Sequence, residues 1–220
     1  MNLYDGQGEC VLIDAMGTDI TPAQSARVSF AEDDLSLSEL TDRDTRLIRY
    51  LAEHKHTSPF EHMVATFRIT VPLYVARQVM RHRTFSYNEV SRRYTAERVR
   101  CHSLDELRRQ HKIKLQCSEE GEVENERELL SAIEEHTRNA LALYQRLIEA
   151  DVAQELARAV LPQSMFTSFW MTGSLRNWAH FLELRLDAHA QPETQELARA
   201  IRDQLRSLWP VSLSALIGDP

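Results

Sequence analysis

The chain has 220 residues, 43% hydrophobic and 27% charged, proportions that exclude disordered, collagen-like and coiled-coil classes. Its net charge of −7 gives no general electrostatic reason to bind nucleic acid, and three cysteines without CxxC spacing exclude a disulfide framework or a zinc knuckle. No apolar run reaches the ~20 residues of a membrane span, and MNLYDGQGEC lacks the features of a signal peptide, so a cytoplasmic protein without a membrane partner is expected.

Residues 9–16 suit a strand, and Gly17 and Asp19 supply turn chemistry before Thr21-Pro22, an N-cap and N1 pair opening a helix toward Ser29. A second helix is predicted over 42–54, with Leu47, Ile48 and Leu51 inward; Ser58-Pro59 repeats the cap-then-proline signal. Residues 63–71 alternate, with Met63, Ala65, Phe67, Ile69 and Val71 on one face. Pro72 then ends this strand and opens a helix through Arg81, in which Leu73, Ala76 and Met80 pack inward while Tyr74, Gln78 and Arg81 share another face. Residues 102–122 are polar and read as a surface excursion. A long amphipathic helix over 125–150 follows, then a short one over 154–161 stopped by Pro162. A strand at 165–171 precedes a helix from Ser174 to about Leu186, and a final helix spans 193–208. The sum is one α+β domain over residues 1–220, mostly helical, around a small sheet.

The segment Arg81 to Tyr94 is almost entirely polar. Between Arg77 and Arg100 seven arginines face two glutamates, a local excess of basic charge inside an acidic chain. Arginine offers a fixed fork of N–H donors suited to phosphate, and three with a histidine near a helix end could hold a nucleotide or a diphosphate. If residues 89–93 run extended, Glu89, Ser91 and Arg93 project from one side. Equally, the segment could be an exposed basic loop at a helix C-terminus, and composition leaves both readings open.

Arg81-His82-Arg83, seven residues and then Ser91 resembles the signature of the flavin-dependent thymidylate synthases, and the surrounding YNEVSRRY is similar to theirs. Other blocks match in order: Ala26 to Phe30 (ARVSF), His56 to His62 (HTSPFEH), Ala157-Arg158 before Val160-Leu161-Pro162, and Leu184 to Asp187 before His189-Ala190-Gln191. The resemblance runs from about residue 9 to 210, excluding the excursion. It implies a homotetramer of α+β subunits, each with a mainly antiparallel sheet, and active sites where subunits meet. It further implies FAD contacts from Ser58, Glu61, Arg81, His82, Arg83, Glu89, Ser174, Arg176 and His180, with Ser29 and His56 also beside the flavin. The same transfer assigns dUMP to Gln78, Arg81, Glu89, Ser91, Arg92, Arg93, Arg158 and Arg185, with Arg185 stabilising negative charge on the uracil ring. The implied reaction is methylation of dUMP to dTMP, with methylenetetrahydrofolate as one-carbon donor and NADPH as reductant through FAD. Ser174 and His180 depart from asparagines common in the family, and Arg92 from a glycine. For Ser174 and His180 an N-cap and a packed histidine are alternative readings.

His54, His56 and His62 lack the spacing of a catalytic zinc site, so no metal is expected. Trp170, Trp178 and Trp209 sit in apolar patterns and are expected in the core. No cysteine lies in a nucleophile motif, and Ser91 has no histidine or lysine base beside it in sequence, which assigns it to binding. No G-x-G-x-x-G is present, consistent with FAD held by side chains. A rival reading, an arginine-rich RNA- or DNA-binding module, would give colourless protein that binds oligonucleotides in a salt-dependent manner.

Overall fold

Strand β3 (Val64–Pro72) is the spine of the molecule, and its alternation has the predicted consequence: Ala65, Phe67, Ile69 and Val71, with Met63 just before them, are fully buried. In this computed structural model, which describes residues 1–4, 6–30 and 39–218, β3 pairs on one side with β2 (Gly8–Met16) and on the other with β7 (Phe166–Ser174). Two strands not anticipated from the sequence, β1 (Asn2–Leu3) and β4 (Ser86–Glu89), complete an antiparallel sheet of order β1-β2-β3-β7-β4. Strand β7 extends to Ser174, three residues beyond the prediction, because its full length pairs with β3.

One sheet face is covered by helices and the other carries polar pairs. On the polar face the Thr66 and Thr172 hydroxyls lie 2.9 Å apart and Arg68 meets Glu9 at 2.9 Å. Helices α6 (Leu175–Arg185) and α7 (Pro192–Leu208) contribute Trp178, Phe181, Leu182, Leu197, Ile201 and Leu205 to the apolar core, where the Trp178 ring meets Phe67 edge-on at 5.0 Å. Trp178 and Trp209 are core residues as expected; Trp170 is not, because its register opposite Arg68 turns it to the polar face, half-exposed.

Helix α1 (Thr21–Arg27) begins one residue earlier than predicted: Ile20 is the N-cap, and the Thr21 hydroxyl instead accepts from the Thr18 N–H at 2.9 Å. Helix α2 (Asp42–Glu53) carries a capping box of Thr41 and Asp44, and the buried Asp44 also pairs with Arg27 of α1. Ser58–His62 is a short 3-10 helix. Helix α3 (Leu73–Val79) stops two residues before Arg81 and buries Val75, Ala76 and Val79, whereas Leu73 and Met80 are only half-buried. Within the excursion, β5 (Arg109–Gln110) and β6 (Ser118–Glu119) form a separate two-stranded ribbon. Helix α4 (Glu126–Glu149) buries only Ala140 and Tyr144, and α5 (Gln154–Ala157) continues as a 3-10 turn, Arg158–Val160. Pro210 does not end the helical part of the chain: α8 (Pro210–Ile217) follows, its first N–H groups at Val211 and Ser212 donating to the Asp19 carboxylate at 2.9 and 2.8 Å. Among the described residues, no helix is long and apolar enough to cross a membrane.

Candidate active site

The end of α3 converts a core helix into a polar knot. His82 is buried, and its Nε2 accepts from Arg185 Nε at 3.0 Å, while an Arg185 terminal nitrogen donates to the Gln78 carbonyl at 3.1 Å. Burial, then the Arg185 and His180 charges, push the His82 imidazole down to about 4, so it is neutral at pH 7 and carries its proton on Nδ1. Burial also lowers the Arg185 guanidinium from its ordinary value, but an arginine so placed keeps its charge. The Gln78 amide is held too, its Nε2 donating to Gln191 and its Oε1 accepting from Thr194 at 3.4 Å. The Tyr87 hydroxyl on β4 donates to the His82 carbonyl at 2.9 Å, fixing the turn between α3 and β4.

Next to this knot lies an exposed polar surface. Arg81 and Arg83 are exposed, and their guanidiniums have no hydrogen-bond or ion-pair partner among the described residues. Asn177 in the first turn of α6 donates to the Thr84 carbonyl at 2.9 Å, and Arg176 pairs with Glu61 on the 3-10 turn that also holds the exposed Ser58. The Ser174 hydroxyl is the N-cap of α6, accepting from Asn177 N–H at 3.4 Å. His180 is exposed, edge-on to His82 at 6.1 Å and 3.9 Å from Glu183, which makes it no packed core histidine. Ser29 and His56 are exposed as well, His56 beside the stacked rings of Tyr50 and His54.

Residues 89–93 are not extended throughout. Strand β4 ends at Glu89, and Ser91–Tyr94 form a turn in which Tyr94 N–H donates to the Ser91 carbonyl at 3.0 Å and Arg93 N–H to the Ser91 hydroxyl at 3.2 Å. The single wall of Glu89, Ser91 and Arg93 is therefore not formed: the serine folds back onto its own turn, as short hydroxyl side chains do, and Arg93 is exposed, over the Tyr94 ring at 5.8 Å. Glu89, Ser91, Arg92 and Arg158 do meet, in a cavity of about 590 Å³ that Arg77 and Thr167 also line. The Glu89 carboxylate accepts from the Thr167 hydroxyl at 2.5 Å, and Arg92, buried, donates to the Glu97 carbonyl at 2.5 Å and the Arg98 carbonyl at 3.4 Å. Gln78, Arg81 and Arg185 do not line this cavity.

Apart from Arg93, which does not line the cavity, the substrate residues expected from the sequence thus fall into two sets on either side of α3. Gln78, Arg81, His82, Arg83 and Arg185 belong to the knot and its surface; Glu89, Ser91, Arg92 and Arg158 belong to the cavity. Thr167, Gln191 and Asn177 escaped sequence reasoning because their roles are made by partners far away in the chain, whereas the partner of Tyr87, the His82 carbonyl, is only five residues away. Gln191, inside the His189-Ala190-Gln191 block, and Tyr87, at the head of YNEVSRRY, carried a usable signal. Chemically, the arrangement offers a fixed cation beside a neutral imidazole, exposed guanidiniums, and a basic recess of nucleotide size.

A family model described as thymidylate synthase complementing protein matches residues 11–211. Among curated relatives, a flavin-dependent thymidylate synthase of Thermus thermophilus is 39% identical over 204 residues, covering 93% of this chain and 73% of the relative, and one of Kosmotoga olearia is 40% identical, covering 94% and 88%. Among solved structures, the UMP/dUMP methylase PolB of Streptomyces cacaoi bound with 5-Br dUMP superposes with a TM-score of 0.84 at 31% identity, covering 98% of this chain and 96% of that one. The same protein bound with 5-Br UMP gives 0.82 at 30% identity, covering 95% and 93%.

Proposed function

Because the chain belongs to the flavin-dependent thymidylate synthase family, we propose that it methylates dUMP to dTMP, with methylenetetrahydrofolate as one-carbon donor and NADPH as reductant through FAD. The observation that carries this reading is the pinning of Arg185 between the His82 ring and the Gln78 carbonyl, which presents a rigid positive charge next to guanidiniums that are unpaired among the described residues. A guanidinium that need not reorganise stabilises negative charge developing on a uracil oxygen better than a mobile one. His82, neutral at pH 7, lets Arg185 keep its full charge and fixes the direction in which its remaining N–H groups point. Gln78, held at both ends of its amide, can orient the base, while Ser91 and Arg158 line the recess that suits the rest of the nucleotide.

The donor set also fits FAD. Arg81 and Arg83 are cations without a partner among the described residues and suited to a diphosphate, and Ser58, the Glu61–Arg176 pair and His180 provide hydroxyl, acceptor and ring partners on the 3-10 turn and α6. When bound, FAD supplies the redox chemistry that converts the transferred one-carbon unit to a methyl group. The chain's part is to bind, orient and hold charge. The division of the substrate residues into two sets, one on each side of α3, supports a homotetramer in which neighbouring subunits complete each site. Residues 1–220 form one catalytic domain in this reading, with 102–122 as a surface insertion.

The Streptomyces neighbour, named for both UMP and dUMP, favours a second substrate to be tested alongside the first. Purified protein loaded with FAD is reduced anaerobically with NADPH, then mixed with methylenetetrahydrofolate and either dUMP or UMP. Formation of dTMP with flavin reoxidation is the expected result; methylated UMP instead of dTMP moves the substrate to the ribonucleotide, and methylation of neither sinks the proposal.

A further inference from the structure

Three arginines of the basic stretch, Arg77, Arg98 and Arg100, have no place in the site as drawn from the sequence. Arg98 and Arg100 line a separate recess together with Glu9 and Glu97. Arg77 lies in α3 next to Gln78 and lines the cavity of Glu89, Ser91 and Arg158. Successive helical residues are turned by about 100°, so one step along α3 sends Gln78 to the Arg185 knot and Arg77 to the cavity.

The charged groups of that cavity are partly committed. Arg92 directs its two terminal nitrogens to the carbonyls of Glu97 and Arg98, at 2.5 and 3.4 Å. Arg158 donates only its Nε, to the Glu155 carbonyl at 3.3 Å. Glu89 has one oxygen on Thr167. Arg77 is exposed, and its guanidinium has no partner among the described residues. Arg92 and Arg158 balance Glu89 and Glu155, so without Arg77 the lining is electrically neutral, and with it the lining carries an excess positive charge.

From these commitments we infer that Arg77, and not Arg92, joins Arg158 in holding the 5′-phosphate of the nucleotide, which makes Arg77 a substrate-binding residue. The inference rests on the proposed nucleotide methylation. A phosphate monoester carries a charge of about −1.5 to −2 at neutral pH and accepts at three oxygens, a demand that two guanidinium forks meet and one does not. The Ser91 hydroxyl accepts from the Arg93 N–H at 3.2 Å and keeps its own proton to donate to a third oxygen. Arg92, braced on two carbonyls, holds the turn that carries this serine.

The test is steady-state kinetics of the FAD-loaded enzyme with dUMP, for wild type, Arg77→Ala, Arg77→Lys and, as a control outside the cavity, Arg98→Ala. Loss of one charge-assisted contact should raise KM for dUMP about 10- to 100-fold in Arg77→Ala while kcat and flavin content hold. Arg77→Lys, which keeps the charge without the fork, should recover part of the loss, and Arg98→Ala should match wild type. An unchanged KM in Arg77→Ala, or a fall in kcat at constant KM in both Arg77 variants, overturns the inference. If wild type itself forms no methylated nucleotide, it is the underlying functional reading that fails.

Discussion

Arg185 illustrates how a surface-type side chain becomes a fixed charge. It leaves the last turn of α6, donates its Nε to the His82 ring nitrogen and ends on a backbone carbonyl, so two of its donors are occupied before any ligand arrives. Arg185→Ala is expected to lower dTMP formation by about 10²- to 10³-fold, the typical cost of losing a preorganised donor to developing charge. FAD should remain bound, because Arg81 and Arg83 are untouched; turnover near the wild-type rate, measured with the FAD-to-protein ratio in parallel, contradicts this role. His82 carries a second prediction. Burial first, then Arg185 and His180, hold it at about 4, whereas an unfolded histidine titrates near 6.5. Between those values the unfolded chain takes up a proton that the folded chain does not, so stability is full above about pH 6.5 and falls as pH drops through the window, by up to about 3 kcal/mol. Urea unfolding of wild type and His82→Gln across this range should show the slope shrinking in the variant; equal slopes place the titration elsewhere.

At the level of elements, the site depends on how β7, β4 and the α3–β4 turn are locked together. Gly173 on β7 lies directly under Phe85: a Cβ there would sit 2.4 Å from the phenyl ring, which packs edge-on against Trp178 at 4.5 Å. Phe85 follows Arg81–Thr84 in the chain, so the glycine sets the depth of the turn that bears the arginines. Gly173→Ala should destabilise the protein by about 1–3 kcal/mol through overpacking, visible as a lowered thermal midpoint, and should weaken FAD retention with it. A midpoint equal to wild type would falsify this coupling. Strand β3 and helix α2 were legible in the sequence because alternation and helical spacing directly encode burial on one face. Strand β4 was not: SYNE has no apolar alternation, and it is a strand only because it pairs with residues 169–172 of β7. For the same reason the extended reading of 89–93 failed at Ser91, where pairing ends and a local serine turn takes over.

The whole molecule leaves one large element under-used. Helix α4 has 24 residues yet buries only Ala140 and Tyr144, while Leu129, Ile133 and Leu143 are about 40% exposed at helical spacing. Such an apolar stripe on a lone chain calls for a partner, which accords with the proposed homotetramer. Native mass measurement should then give about four times the 25.5 kDa of the chain. Ile133→Glu should shift it to smaller species and abolish activity while the subunit stays folded. A monomeric, active wild type would refute both the assembly and the shared site.

By itself the sequence determined which side chains are available for chemistry, the spacing of Arg81-His82-Arg83 and Ser91, and the α+β character, because these follow from residue identity and local periodicity. Only the tertiary structure decided that Arg92 braces its own loop, that Arg185 meets His82, and that Arg77 enters the cavity from which Gln78 is turned away. Those outcomes depend on contacts between residues up to about a hundred positions apart, and on a helix ending at Val79 instead of Arg81. Local pattern cannot encode them, since the partner that completes each hydrogen bond is set by how the sheet and helices pack.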